Sequence, residues 1–287
     1  MTAPSIQWYP GHIAKAERNL LEQLKKVDVV LEVRDARIPL TTQHPQIPQW
    51  IGNKERVLIL NRVDMIPVSW RDRWKAWFEA HDESPIFTNA NQGGGMNDVT
   101  KAARIVGDRL NQRRRERGML PRPVRAVVIG FPNVGKSALI NRLVKRRVVE
   151  SARKAGVTRQ LRWVRISDTL ELLDAPGVLP SKLTNQDNAL KLAICDDIGE
   201  AAYDNQRVTA AFVELLKDLQ SQVPEGVEAL RSRYSLDPSL YTGESYLEIL
   251  AEQRHQGDIE RTAREILTDF RKGTLGAIPL ELPPQAS

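Results

Sequence analysis

The eight residues Gly130-Phe131-Pro132-Asn133-Val134-Gly135-Lys136-Ser137 constrain this chain more than any other stretch. They fit the pattern G-x-x-x-x-G-K-[ST], a tight loop between a strand and a helix that wraps a row of phosphates. The context fits as well. Val124–Ile129 is a short apolar run that predicts a buried strand, and Lys136–Val144 predicts a helix. Gly130 and Gly135 let the backbone curl so that successive N–H groups of the segment Asn133–Ala138, Val134 among them, face phosphate oxygens. The helix adds its positive end. The Lys136 ammonium is expected to reach the β- and γ-phosphates, and the Ser137 hydroxyl to ligate Mg²⁺.

Downstream, Asp174-Ala175-Pro176-Gly177 follows a second apolar strand. An Asp at a strand end after such a loop can hold Mg²⁺, and Gly177 can present its N–H to a γ-phosphate. Between them, Gly156-Val157-Thr158-Arg159 places a Thr in a polar loop, where Thr158 is a candidate to close over the γ-phosphate as a further Mg²⁺ ligand.

Upstream, Asn61-Arg62-Val63-Asp64 follows the strand Arg56–Leu60. It resembles the guanine-reading pattern N-K-x-D. The Asp64 carboxylate can accept from the ring N–H and exocyclic amine of guanine, and adenine would leave it unpaired. Arg62 stands where a Lys is usual, and its stem and guanidinium can lie along an aromatic ring. Thr88-Asn89-Ala90, after the next strand, resembles the small-residue loop whose backbone donates to the guanine carbonyl; Asn89 and Ala90 are therefore candidate base contacts. In most GTPases the base-reading motifs come last. Here they come first, so the parts meet only in a circularly permuted sheet whose former ends are joined through Gly93–Pro123, long enough for a helical crossover.

Strands at Val27–Val33, Arg56–Leu60, Ile86–Thr88, Val124–Ile129, Leu161–Ser167 and Leu170–Leu173 alternate with helices at Gly11–Lys26, Trp70–Ala80, Asn97–Arg117 and Lys136–Val144. That order predicts an α/β fold with a mainly parallel sheet. After Pro180 strand signals stop. Helices are expected at Asn185–Ala202, Arg207–Leu219, Gly226–Tyr234, Ser245–Arg254 and Asp258–Arg271. The division is a permuted GTPase domain over 1–180 and a small all-helical domain over 181–287. Trp70, Trp74, Trp77 and Phe78 recur at helical spacing and read as core packing. The Pro-rich tail Pro279–Ser287 is expected to be poorly ordered.

No apolar run approaches the roughly 20 residues that span a bilayer, and Met1–Pro10 lacks a signal-peptide pattern, so a cytoplasmic protein is expected. Cys195 is the single cysteine. It permits no internal disulfide, suits a reducing compartment, and reads as core. Net charge is +6. The basic residues cluster: nine Lys or Arg against two acids over Lys101–Arg125, and nine against one over Arg142–Arg165. Such clusters suit phosphate contact with nucleic acid, or a solvated helix face.

With Trp8-Tyr9-Pro10-Gly11-His12, the segment Glu32-Val33-Arg34-Asp35-Ala36-Arg37-Ile38-Pro39, Asp269-Phe270-Arg271-Lys272-Gly273 and the permuted motif order, the chain resembles the YlqF-type circularly permuted GTPases over nearly its whole length. The resemblance implies GTP hydrolysis coupled to late assembly of the large ribosomal subunit, with rRNA contact by the C-terminal helical domain. Val178 and Leu179 follow Gly177 where Ras-like enzymes carry a water-orienting Gln, so slow turnover is expected of the protein alone, with ribosomal stimulation. His12 is the leading candidate to position water, against a plain surface or capping histidine. Asn133 suggests a K⁺ site, because GTPases resembling this one with Asn there are often K⁺-stimulated. A monomer is the default. Two other readings stay open at this point: an RNA-binding protein whose nucleotide only stabilises the fold, opposed by Lys136, Ser137, Thr158 and Asp174, and an ATP-using enzyme, opposed by Asp64.

Overall fold

In the computed structural model, residues 11–144, 162–175, 185–199 and 202–285 are described, with residues 11–17, 162 and 174 described by backbone alone. Six strands form one sheet in the order β3-β2-β1-β4-β6-β5: β1 (Val29–Asp35), β2 (Glu55–Asn61), β3 (Ile86–Thr88), β4 (Val124–Ile129), β5 (Arg162–Ser167) and β6 (Leu170–Asp174). Every pairing is parallel except the β5–β6 hairpin. β1 lies at the centre, and all seven of its residues are buried. A strand covered on both faces needs an almost unbroken apolar run, and Val29, Val30, Leu31 and Val33 supply it.

Helices α1 (Gly11–Leu24), α2 (Ile47–Ile51), α3 (Val68–Glu79), α4 (Met96–Glu116) and α5 (Lys136–Leu143) cover the sheet. Trp70, Trp74 and Phe78 of α3 are buried, as their spacing predicts. α4 is the crossover that carries the chain from β3 back to β4. α6 (Gln186–Cys195), α7 (Asn205–Asp218), α8 (Pro224–Tyr234), α9 (Gly243–His255) and α10 (Ile259–Lys272) form the C-terminal helical part. Several start at a side-chain cap: Asn185 accepts from the Asp187 and Asn188 N–H, Asp204 from Arg207 N–H and Asp258 from Arg261 N–H. Such caps satisfy donors the helix itself leaves open. One apolar cluster runs from the sheet (Leu31, Val33, Ile38) through Leu192 to Phe212, Phe270 and Leu280.

Two expectations are corrected. The helix expected over Asn185–Ala202 stops at Cys195, because Asp196 is left-handed (φ +65°) and the Asp197 N–H turns back to the Leu192 carbonyl. The tail is ordered through residue 285; residues 286–287 lie outside the described residues. Ile278 and Leu280 are buried, and the N–H groups of Leu280 and Glu281 both donate to the Arg37 carbonyl at 3.1 Å. The Glu281 carboxylate accepts from Leu40 N–H (2.6 Å), Thr41 N–H (3.2 Å) and the Thr41 hydroxyl (2.8 Å). Proline content marked this segment as loop, but loop backbone with buried apolar anchors and satisfied polar groups need not be loose.

Candidate functional site

The carboxyl ends of the first three strands are level. Asp35 lies opposite Asn61, and Asn61 opposite Thr88. β4 reaches the same edge, with Ile129 beside Glu32, and runs on into Gly130. Open parallel sheets bind ligands outside their carboxyl ends, where neighbouring strands send the chain opposite ways. That point falls between β1 and β4, since β2 and β3 lie on one side of β1 and β4 and β6 on the other.

Gly130 and Gly135 adopt φ of +151° and +101°. A Cβ at Gly130 would sit 2.2 Å from the Val33 carbonyl oxygen, and one at Gly135 would sit 2.1 Å from Asn61 Nδ2. Both glycines are thus fixed by backbone conformation and by a neighbour. Asn133 is also left-handed, at φ +55°. Val134 is buried in the core beneath the loop, and Ser137 and Ala138 are half-buried in the first turn of α5. Lys136 is buried, and its ammonium donates to the Phe131 carbonyl at 2.7 Å. The Lys side chain therefore folds back across its own loop, toward the space the loop encloses.

The base-reading half meets this loop through Asn61. Its Nδ2 donates to the Val134 carbonyl (2.8 Å), and its Oδ1 accepts from the Thr88 hydroxyl and the Ala90 N–H, both at 3.0 Å. One buried amide thus joins three motifs the sequence keeps apart. Asn89 is buried, and its Oδ1 accepts from the Asn91 and Gln92 N–H groups, shaping the loop as an Asx turn. Arg142 of α5 donates to the Ala90 and Asn91 carbonyls, a link that the sequence reading missed. Asp64 sits exposed in a single 3₁₀ turn, Val63–Met65, and has no hydrogen-bond partner among the described residues.

Arg62 is left-handed (φ +62°). Nη2 donates to the Asn133 carbonyl at 2.6 Å, and Nε lies 3.6 Å from Asp35 Oδ2. Asp35 is fully buried and accepts two bonds from the Arg37 guanidinium, at 3.0 and 2.7 Å. Burial alone would raise the Asp35 pKa. The charges of Arg37 and Arg62, with the Arg37 hydrogen bonds, outweigh that and hold it below the ordinary carboxylate value. Arg37 Nη2 also donates to the Cys195 carbonyl at 3.0 Å, and Asn133 Nδ2 donates to the Asp196 carbonyl at 2.6 Å. The end of α6 thus touches the phosphate loop directly. The Asp35 and Arg37 pattern was visible in the sequence, but no local signal linked it to residues 195–196. Cys195 itself is buried, and burial raises its thiol pKa well above normal, as suits a core residue.

The remaining candidates are less fully placed. Thr158 and Gly177 lie outside the described residues. His12 lies near the start of α1 and Asp174 opposite Val128 at the end of β6, each described by backbone alone. The site suits a guanosine phosphate: a curled loop with no room for a Cβ at Gly130 or Gly135, a buried ammonium folded over it, and, in the turn after β2, an exposed carboxylate without a partner among the described residues.

Residues 125–225 match the family model described as 50S ribosome-binding GTPase. Ribosome biogenesis GTPase A of Bacillus cereus is 34% identical, over 98% of this chain and 95% of that protein. The protein of the same name from Bacillus pumilus is 33% identical, over 97% and 99%. Among solved structures, GNP-bound YlqF from Thermotoga maritima superposes with a TM-score of 0.65 at 23% identity, covering 95% of this chain and 100% of that one. The GDP-bound YlqF structure gives 0.64 at 22% identity, over 93% and 99%.

Proposed function

The chain belongs to the ribosome biogenesis GTPase A family, and from that premise we propose that it acts as a GTP-driven switch in late assembly of the large ribosomal subunit. It is a GTP hydrolase with a role in ribosome biogenesis. The observation that carries the site reading is the Asn61 amide, which holds the base-reading and phosphate-binding stretches together.

In this reading Asp64 selects guanine, the Asn133–Ala138 backbone and Lys136 grip the phosphates, and the helical part from residue 181 contacts rRNA. Lys136 supplies positive charge where the γ-phosphoryl oxygens gain it during transfer. Ser137, Thr158 and Asp174 would hold Mg²⁺, which offsets phosphate charge when bound. Asn133 would add a side-chain oxygen to a K⁺ site. His12 orients the attacking water. Gly177 holds the γ-phosphate, and its release frees the helical part through the few residues to Pro180. The protein works as a monomer in the cytoplasm; no helix among the described residues is long and apolar enough to cross a membrane.

The test is GTP turnover with and without purified large ribosomal subunits, in K⁺ and in Na⁺ buffers. Marked stimulation by large subunits, greater in K⁺, is the expected result. Stimulation by small subunits or tRNA instead would reject the large-subunit assignment, and equal rates in the two salts would reject the K⁺ site.

A further inference from the structure

Four successive carbonyls at the end of α6 are held by side chains from three distant stretches. The Arg271 guanidinium donates to the Ala193 carbonyl through Nη2 (2.8 Å) and to the Ile194 carbonyl through Nε (3.0 Å). Arg37 Nη2 donates to Cys195 at 3.0 Å, and Asn133 Nδ2 to Asp196 at 2.6 Å. A helix leaves its last carbonyls without partners of its own, and its negative end favours cations. Ala193, Ile194 and Cys195 are fully buried, so water is no substitute. One helix end thus links α10, the turn after β1 and the phosphate loop.

Arg271 belongs to the stretch Asp269-Phe270-Arg271-Lys272-Gly273, to which the nucleotide chemistry above gives no part. Its neighbours meet the same site. The Phe270 ring centroid lies 4.8 Å from that of Phe212 and 5.2 Å from the guanidinium carbon of Arg37. Gly273 ends α10 at φ +76°, and a Cβ there would stand 3.3 Å from the sulfur of Met65, the residue after Asp64. The end of α10 therefore abuts the Asp35–Arg37 pair, the base-reading turn and, through α6, the phosphate loop.

We propose that Arg271 is a positioning residue of the nucleotide site, acting on the phosphate loop through the end of α6. By holding two carbonyls with one rigid fork, it fixes where the Asp196 carbonyl points. That carbonyl can only accept, so it fixes which way the Asn133 amide faces, nitrogen toward α6 and oxygen away from it. Asn133 is a left-handed residue of the loop, and its own carbonyl accepts from Arg62. A displaced α6 end therefore pulls on the loop backbone at the point where Arg62 also grips it. In this way a residue of the C-terminal helices tunes nucleotide affinity, and by reciprocity a bound nucleotide steadies the end of α6.

The proposal rests on the GTPase reading, and its test separates the two. The full chain is titrated with a fluorescent GDP analogue as wild type, Arg271→Lys, Asn133→Gly and the double variant, with thermal melts alongside. Arg271→Lys keeps the positive charge at the helix end but loses the fork that spans two carbonyls. Asn133→Gly removes the amide and keeps the left-handed turn. In the wild-type background Arg271→Lys is expected to raise the Kd about fivefold or more, a typical size for coupling between sites. In the Asn133→Gly background it should change the Kd by less than about twofold, because the route to the loop is already cut. Tyr234→Phe, which removes a hydrogen bond to Asp269 elsewhere in the helical part, should lower Tm and leave the Kd unchanged. Hydrogen exchange of the wild type needs no variant. Saturating GDP should slow the Asp196 and Asp197 amides, which close the end of α6 onto Ala193 and Leu192, more than the amides of α8. A Kd for Arg271→Lys within about twofold of wild type would overturn the proposal. So would an equal effect in both backgrounds, a matching rise for Tyr234→Phe, or equal exchange protection in α6 and α8. A wild type that binds no guanine nucleotide would sink the GTPase reading itself.

Discussion

Asn61 Nδ2 donates to the Val134 carbonyl across 2.8 Å, although the two residues are 73 positions apart in the chain. The same amide oxygen holds Thr88 and Ala90, so removing this side chain leaves three buried polar groups without it. At about 1 kcal/mol per hydrogen bond, Asn61→Ala should cost about 3 kcal/mol in a urea melt. GDP affinity should fall in parallel. Unchanged nucleotide affinity would show that the base and phosphate stretches do not depend on each other.

Gly135→Ala forces a Cβ into the space of the Asn61 amide, 2.1 Å away, at a φ of +101°. The left-handed backbone alone costs about 1–2 kcal/mol. We expect guanine-nucleotide binding to be lost while the far-ultraviolet circular dichroism stays that of the wild type. Binding at wild-type strength would mean that the loop tolerates a displaced Asn61.

Lys136→Ala removes the buried hydrogen bond to the Phe131 carbonyl from the ground structure. Its effect on turnover should be much larger, a fall in kcat of about 10²–10³-fold, the size seen when one preorganised donor is removed. Single-turnover hydrolysis at saturating GTP is the measurement.

Asp64 is exposed and has no partner among the described residues, so Asp64→Asn should change stability by no more than about 0.5 kcal/mol. GTP affinity should fall by about 10²-fold or more, since guanine then meets a donor where it needs an acceptor. Xanthosine triphosphate, with a carbonyl in place of the amine, should bind the variant better than GTP does. Competition binding checks the order.

The Asp35 pKa is lowered in the folded chain, so this group binds protons less readily folded than unfolded. Its stabilising contribution is complete above the ordinary carboxylate value near 3.8 and is lost as pH falls through the lower folded value. Asp35→Asn leaves Arg37 buried without its charge partner and should cost about 3–5 kcal/mol at neutral pH. The stability gap between wild type and variant should narrow below about pH 4, as read from denaturant melts across pH.

Much of the fold could be read from local pattern. Ile86–Thr88 and Val124–Ile129 were placed to the residue, because a short apolar strand between turn signals has few alternatives. The phosphate-loop motif was legible for the same reason: Gly130, Gly135 and Lys136 each answer to a local geometric demand. What escaped notice depends on distant partners. Nothing in the sequence around Cys195 says that α6 ends there, since the run to Ala202 remains helix-compatible and the stop is a left-handed Asp196 whose carbonyl receives Asn133. Nothing local to Arg62 announces its contacts with Asp35 and the Asn133 carbonyl, which only the fold brings to it. The tail misled for the opposite reason, its composition suggesting looseness where Leu280 has a pocket and Glu281 has three donors.

The bond from Leu40 N–H to Glu281 spans 241 positions, and it gives the fold a built-in schedule. On a translating ribosome, β1 and the turn after it leave the exit tunnel long before residue 281 has been polymerised. Until then the Leu40 and Thr41 amides must stay hydrated and the groove that later receives Leu280 lies open to solvent. Final closure over the Asp35–Arg37 pair therefore waits until Glu281 has emerged, and a nascent chain interrupted before Glu281 would carry all its nucleotide motifs without the carboxylate that fastens Leu40 and Thr41.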